Sequence, residues 1–324
     1  MSQTIVTIIL MLSQSFFCFS QANLVKITNN AAEDFHPSFS ADGEKILFDS
    51  EQSGHNEIYL YYIKTKKVKQ LTASDKFKSD HPAWLPDGRH ILFTYWRKGP
   101  ERYIMNIDGS EKKMLFYGYG IASPKGDKIS FISNKNGNYD MFIIGTDGKN
   151  EKQLTAYTGD EVAMNWSPDG KTIVFLREIE KAFQVCSINA DGSGLTQLSS
   201  TYFSCDAPQW HPQGNLIAYS YKGDSNSVLC IVNKEGTVKK ELTRLKKDIG
   251  NISWSPDGKQ LLCSIGSGAE EELAVINASS GALTQLTDNK TRDTYPSWSP
   301  DSKKILFVSE MDGDLDVYFF KLKK

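Results

Sequence analysis

Short runs of apolar and β-branched residues alternate along this chain with clusters of Gly, Asp, Asn, Ser and Pro, and no stretch sustains the 3.6-residue apolar period of an amphipathic helix. The first complete unit sets the pattern. Pro37-Ser38-Phe39-Ser40-Ala41-Asp42-Gly43 leads into Lys45-Ile46-Leu47-Phe48, a turn around Gly54 precedes Glu57-Ile58-Tyr59-Leu60, and Val68-Lys69-Gln70-Leu71-Thr72 closes it. Bounded by turn residues, these runs predict four short strands, a to d, joined by tight hairpins.

The unit recurs. Its first turn ends at Gly43, Gly88, Gly126, Gly170, Gly214, Gly258 and Ser302, with successive spacings of 45, 38, 44, 44, 44 and 44 residues. Four strands in a period of roughly 40 to 45 residues make one blade of a β-propeller. The expected fold is all-β, a seven-bladed β-propeller of four-stranded antiparallel blades. Outer-strand segments recur at 68–72, 113–117, 152–155, 196–199, 240–243 and 284–287, and one more, Leu24-Val25-Lys26-Ile27-Thr28, stands near the start of the chain. The last copy stops after its third strand at Leu322, so the N-terminal strand is expected to complete the last blade and leave no open sheet edge.

Residues 1–20 stand apart from the repeats. They carry no charge, are mostly apolar from Ile5 to Phe19, and place Cys18 and Ser20 just ahead of Gln21. They read as a signal peptide that lacks the usual positive n-region, with a retained anchor as the alternative, and residues 21–324 form the propeller domain. This implies a periplasmic or secreted protein without an integral membrane segment after processing. A formal net charge of −2 gives no pull toward nucleic acid. The basic cluster Lys239, Lys240, Arg244, Lys246 and Lys247 falls on or near an outer strand, where solvated charge is ordinary. Cys186, Cys205, Cys230 and Cys263 fall at core positions of the repeat. Their even number permits disulfides without fixing a pairing.

Catalytic motifs are absent: there is no Gly-x-Ser-x-Gly elbow, no phosphate-binding Gly-rich loop with Lys and no His-Glu-x-x-His. Asp312-Gly313-Asp314-Leu315-Asp316 has the look of a calcium loop, but its register matches 52–57 and 135–140, the hairpin between strands b and c, so it reads as a turn. No cofactor, metal site or catalytic residue is assigned. The Ser-Pro-Asp-Gly turns at 167–170 and 255–258, each preceded by Trp166 or Trp254, together with the Leu-Thr outer strands, resemble the WD-like repeats of TolB-type propellers from about residue 24 to the end. That resemblance implies a propeller that docks protein or peptide partners in the cell envelope. Oligogalacturonate lyases, with histidine-bound metal, are similar propellers and imply a second class, a carbohydrate-active enzyme. A glycan or small-molecule sensor without chemistry is the third.

Strand alternation puts the d-to-a and b-to-c connections on one face, and their sequences vary from blade to blade. Variable loops on a rigid scaffold carry function. Their non-repeating residues His36, His81, Trp96, Arg97, Tyr119, Tyr202, Phe203, Arg292 and Tyr295 are the candidate binding residues, a mixture of aromatics and Arg suited to a peptide or a sugar. An acidic residue recurs just before strand a, as Asp34, Asp80, Glu161, Asp206, Asp248 and Asp293, and fails in the third blade. It reads either as a loop-shaping hydrogen-bond acceptor or as an acidic collar that would attract a basic ligand.

Overall fold

In the computed structural model, which describes residues 24–322, each repeat folds into one antiparallel sheet, and seven such sheets make the ring. Blade 1 comprises Asp34–Phe39, Lys45–Ser50, Glu57–Tyr62 and Lys67–Gln70 as strands a to d. Blades 2 to 6 begin at Ser79, Tyr119, Glu161, Cys205 and Ile249. Blade 7 takes Asp293–Trp298, Lys304–Ser309 and Asp316–Lys321 from the end of the chain and Leu24–Lys26 from its start. The expected leader at residues 1–20 lies outside the described residues.

The seam closes as a sheet and as a core. Leu24, Val25 and Lys26 pair with Phe320, Phe319 and Tyr318. Ile27 then joins Phe39, Phe48, Leu306, Val317 and Phe319 in the apolar layer between blades 7 and 1. Comparable layers fill the other blade junctions, so each blade is stable only against its neighbours.

The recurring polar residues of the sequence have structural duties. Asp169, Asp257 and Asp301 accept from the Ser two positions earlier and from the backbone N–H two positions later, while Gly170 and Gly258 supply the left-handed φ of the turn. The outer-strand Thr72, Thr155 and Thr287 hydroxyls each accept the N–H of the second residue of strand c, at 2.8 to 2.9 Å. At the seam Thr28 does the same for Val317 at 2.8 Å and donates to Asp316 at 3.0 Å. Between blades, the Trp84, Trp254 and Trp298 indoles donate to carbonyls of Ser38, Gln209 and Ser253 on the preceding strand a. Lys69, Lys152 and Lys240 donate from one outer strand to the c-to-d turn of the next blade, which gives part of the basic outer surface a latching role.

Two open questions of the sequence are answered here. The four described cysteines are free and buried, and burial raises Cys186 to about 11 and Cys263 to about 12. The Asp312–Asp316 segment is a hairpin whose acids serve the seam: Lys26 Nζ lies 2.7 Å from Asp312 and 2.6 Å from buried Asp316.

Candidate functional site

Strand a lines the central channel, and at its start it departs from regular pairing. In blades 1, 2, 4, 5, 6 and 7 the register with strand b slips by a bulge. At that bulge His36, His81, Ala163, Asn251 and Tyr295 all adopt left-handed φ between 49° and 53°. Non-glycine residues in this region are costly and are kept where a side chain must be re-aimed. Three of them precede a proline, Pro37, Pro82 and Pro296, whose ring restricts the residue before it. Blade 3 has no bulge, and Tyr119 stands at the same distance ahead of its turn.

These positions build an arc over blades 7, 1, 2 and 3. The Tyr295 and His36 rings are 4.7 Å apart, His36 and His81 4.0 Å, and His81 and Tyr119 5.5 Å. Trp96, from the b-to-c hairpin of blade 2, meets Tyr119 edge-on at 6.4 Å. On the opposite side, blade 4 carries only the small side chain of Ala163 at this position. Beneath the arc a cavity of about 430 Å³ is lined by His36, Asp206, Gln209, Asn251, Ser253 and Tyr295. A larger groove, about 910 Å³, lies at the other end of blades 3 and 4 among their a-to-b and c-to-d turns, remote from these residues.

Buried carboxylates hold the arc. His36 Nδ1 donates to Asp49 Oδ1 at 2.8 Å, and Asn56 donates to the other oxygen at 3.0 Å. Asp49 is fully buried, and burial raises its pKa against the pull of His36. With Nδ1 engaged, Nε2 is the ring nitrogen of His36 left for a further partner. Asp80 receives the Trp96 indole at 2.8 Å on both oxygens and Lys78 Nζ at 3.2 Å, and Lys78 also lies over the Trp96 ring. His81 Nδ1 is 2.9 Å from Asp80 but off the line of a hydrogen bond. Burial pushes Asp80 up, but His81, Trp96 and Lys78 outweigh it and hold the carboxyl below the usual range.

The structure therefore joins His36, His81, Trp96, Tyr119 and Tyr295 in one site. Arg292 lies beside it, with Nε 3.5 Å from Glu271. Arg97, about half exposed, is drawn back to Glu101 at 3.3 Å. Tyr202 is fully exposed, and Phe203 stacks on Tyr221 across the ring, without ring contact to the arc. The recurring acids divide. Asp34, Glu161 and Asp293 are fully buried in the blades, bonded to Asn30, Thr155 and Asn289. Asp80 anchors the arc, Asp206 lines the channel, and Asp248 pairs with Lys222 at 2.8 Å on the surface. Asp49, Asn251 and Gln209 were not among the candidates. The signal for Asn251 was its fixed offset from the Ser-Pro-Asp-Gly turn of its blade, the same as that of His36 from the turn ending at Gly43.

A ring of seven four-stranded antiparallel blades defines an all-β, seven-bladed propeller. The chain belongs to the TolB beta propeller domain family, whose model matches residues 57–256 and 245–324. A protein TolB homolog from Chlorobaculum tepidum is 32% identical over 121 residues, which are 36% of this chain and 28% of that protein. The chain thus spans about a quarter of the length of the curated relatives it matches. In fold it is similar to an oligogalacturonate lyase from Vibrio parahaemolyticus, with TM-score 0.77 at 18% identity over 93% of this chain and 94% of that one. An oligogalacturonate lyase in complex with manganese is similar as well, with TM-score 0.79 at 19% identity over 93% of both chains. Among the described residues no group of three or more His, Cys, Asp or Glu side chains is placed to hold a metal ion. His36 and His81 are thus not joined by the further ligands that a manganese centre needs, and the donors present do not fit one.

Proposed function

We propose that this chain is an exported, non-catalytic docking propeller of the cell envelope, which receives a protein or peptide partner at the mouth over blades 7, 1, 2 and 3. The observation that carries the reading is the arc itself. Rings from four blades meet at 4.0 to 6.4 Å, two of them pinned by buried carboxylates. A rigid aromatic wall beside a polar cavity provides contact area at little entropic cost, which is how interface anchors work. Membership of the TolB family supports docking, and the apolar uncharged segment at residues 1–20 supports export to a periplasm or beyond.

The test is capture from envelope extract by the wild type and by His36→Ala and Tyr295→Ala, with melting measured on each variant. Loss of the captured partner by variants that melt like the wild type supports the mouth, whereas equal capture by all three rejects it. One observation favours a second reading, a carbohydrate-active site: His36, bonded to the buried carboxyl of Asp49, lines the cavity, and such a pair suits a histidine to proton transfer. Turnover of an acidic oligosaccharide that is lost in His36→Ala would establish it.

A further inference from the structure

One residue near the mouth breaks the repeat in a way that costs stability. At the strand c position equivalent to Ile58, six blades place an aliphatic or thioether side chain, Ile58, Met141, Val185, Leu229, Leu273 and Val317, each with no exposed surface. Blade 2 places Arg102 there, 4% exposed. Its Nη1 donates to the His81 carbonyl at 2.8 Å and to Thr94 Oγ1 at 3.0 Å. Its Nε is buried without a partner, and among the described residues no carboxylate lies within ion-pair distance of it. Asp80, whose charge favours the cation, is already occupied by the Trp96 indole and Lys78. Burial lowers the Arg102 pKa to about 10, against the favourable field of Asp80, and still leaves it a cation at neutral pH.

An uncompensated buried guanidinium is expensive, and an aliphatic residue of similar size in its place is commonly neutral or stabilising. This fold has that alternative in six of its seven blades. The guanidinium bonds the His81 carbonyl, and the His81 ring meets Tyr119 of blade 3 at 5.5 Å, which ties Arg102 to one end of the arc.

We propose that Arg102 is the anion receptor of the mouth, and that the ligand seats a carboxylate against the guanidinium edge that carries the unpartnered Nε while its apolar part packs on His81, Tyr119 and Trp96. The inference rests on the docking reading and narrows it. The expected ligand chemistry is a planar carboxylate, carried by an acidic peptide or an acidic sugar, which a guanidinium edge matches with two parallel hydrogen bonds.

The test uses the whole chain and Arg102→Leu, the residue type that blades 5 and 6 already carry at this position. Calorimetric titration at constant ionic strength compares four probes: acetyl-Gly-Gly-Asp-amide, its Asn counterpart, glucuronate and glucose. Binding of a carboxylate probe but not of its neutral counterpart, weakened about tenfold or more in Arg102→Leu, supports the proposal. That variant should also melt at or above the wild type. Which carboxylate binds identifies its source as peptide or sugar. The proposal is overturned if neither carboxylate binds the wild type, or if Arg102→Leu binds as the wild type does, and all the more if that variant also melts several degrees lower. Partner capture separates the two levels: lost by His36→Ala but kept by Arg102→Leu, it leaves docking standing and removes the anion receptor, whereas kept by both it removes docking as well.

Discussion

Glutamine in place of Glu161 should stabilise the ring at pH 7.5 and remove part of its pH dependence. Glu161 is fully buried in blade 4 beside Asp140 of blade 3, accepts from Thr155 Oγ1 at 2.7 Å and leaves Oε1 without a hydrogen bond. Burial, reinforced by Asp140 and opposed by Thr155 and Arg177, raises its pKa from 4.5 to about 7. The folded state thus holds the proton more tightly than the unfolded chain. The resulting stability is fully present below about pH 4.5 and is lost as the pH climbs through 7. At 1.36 kcal/mol per pKa unit, the loss for this carboxyl approaches about 3 kcal/mol. Glutamine keeps the shape, still accepts from Thr155 and never ionises. Glu161→Gln should therefore match the wild type near pH 5 and exceed it at pH 7.5 by about 1–3 kcal/mol, a rise of several degrees in Tm. Asp34 at about 7 and Asp293 at about 6 act in the same direction, so the wild type itself should weaken from pH 5 to 7.5. Urea midpoints at the two pH values measure both effects. A wild type that strengthens over this range, or a variant that loses stability at pH 7.5, would refute the reasoning.

At the seam, Thr28→Val leaves the Val317 N–H without its acceptor and should cost about 2 kcal/mol in urea titrations, and deleting residues 21–30 should cost more. A deletion that melts like the intact chain would show that the ring does not depend on its clasp. Trp96→Ala removes the indole that saturates Asp80, and it should lower affinity for the captured partner by about 2 kcal/mol or more. Lower melting with unchanged affinity per folded molecule would reduce Trp96 to a packing role. Intact-mass measurement of protein recovered from the producing cell should find an N-terminus near Gln21, and a chain starting at Met1 in the cytosol would contradict export.

The repeat determined the architecture by itself. Turn residues at a period of 44, alternating apolar strands and an outer-strand segment displaced to Leu24–Thr28 leave a seven-bladed ring with a shared last blade as the consistent solution, because every sheet edge must be paired and every blade needs a neighbour. The sequence also picked out His36, His81, Trp96, Tyr119 and Tyr295 as departures from the repeat on the variable face. Their assembly was a tertiary matter. A bulge re-aims a side chain through one dihedral, and no residue type in the strand announces it: His, Ala, Asn and Tyr all occupy the left-handed position. Ring closure then brings residues 81 and 295 to either side of 36. Tertiary structure alone also divided the recurring acids. Asp34 and Asp80 look alike in the chain, yet they sit one step apart relative to the bulge, so that one faces the blade core and the other the arc. Asp49 and Arg102 were invisible as charges within apolar strands, because only packing decides whether such a residue meets solvent, a partner or neither.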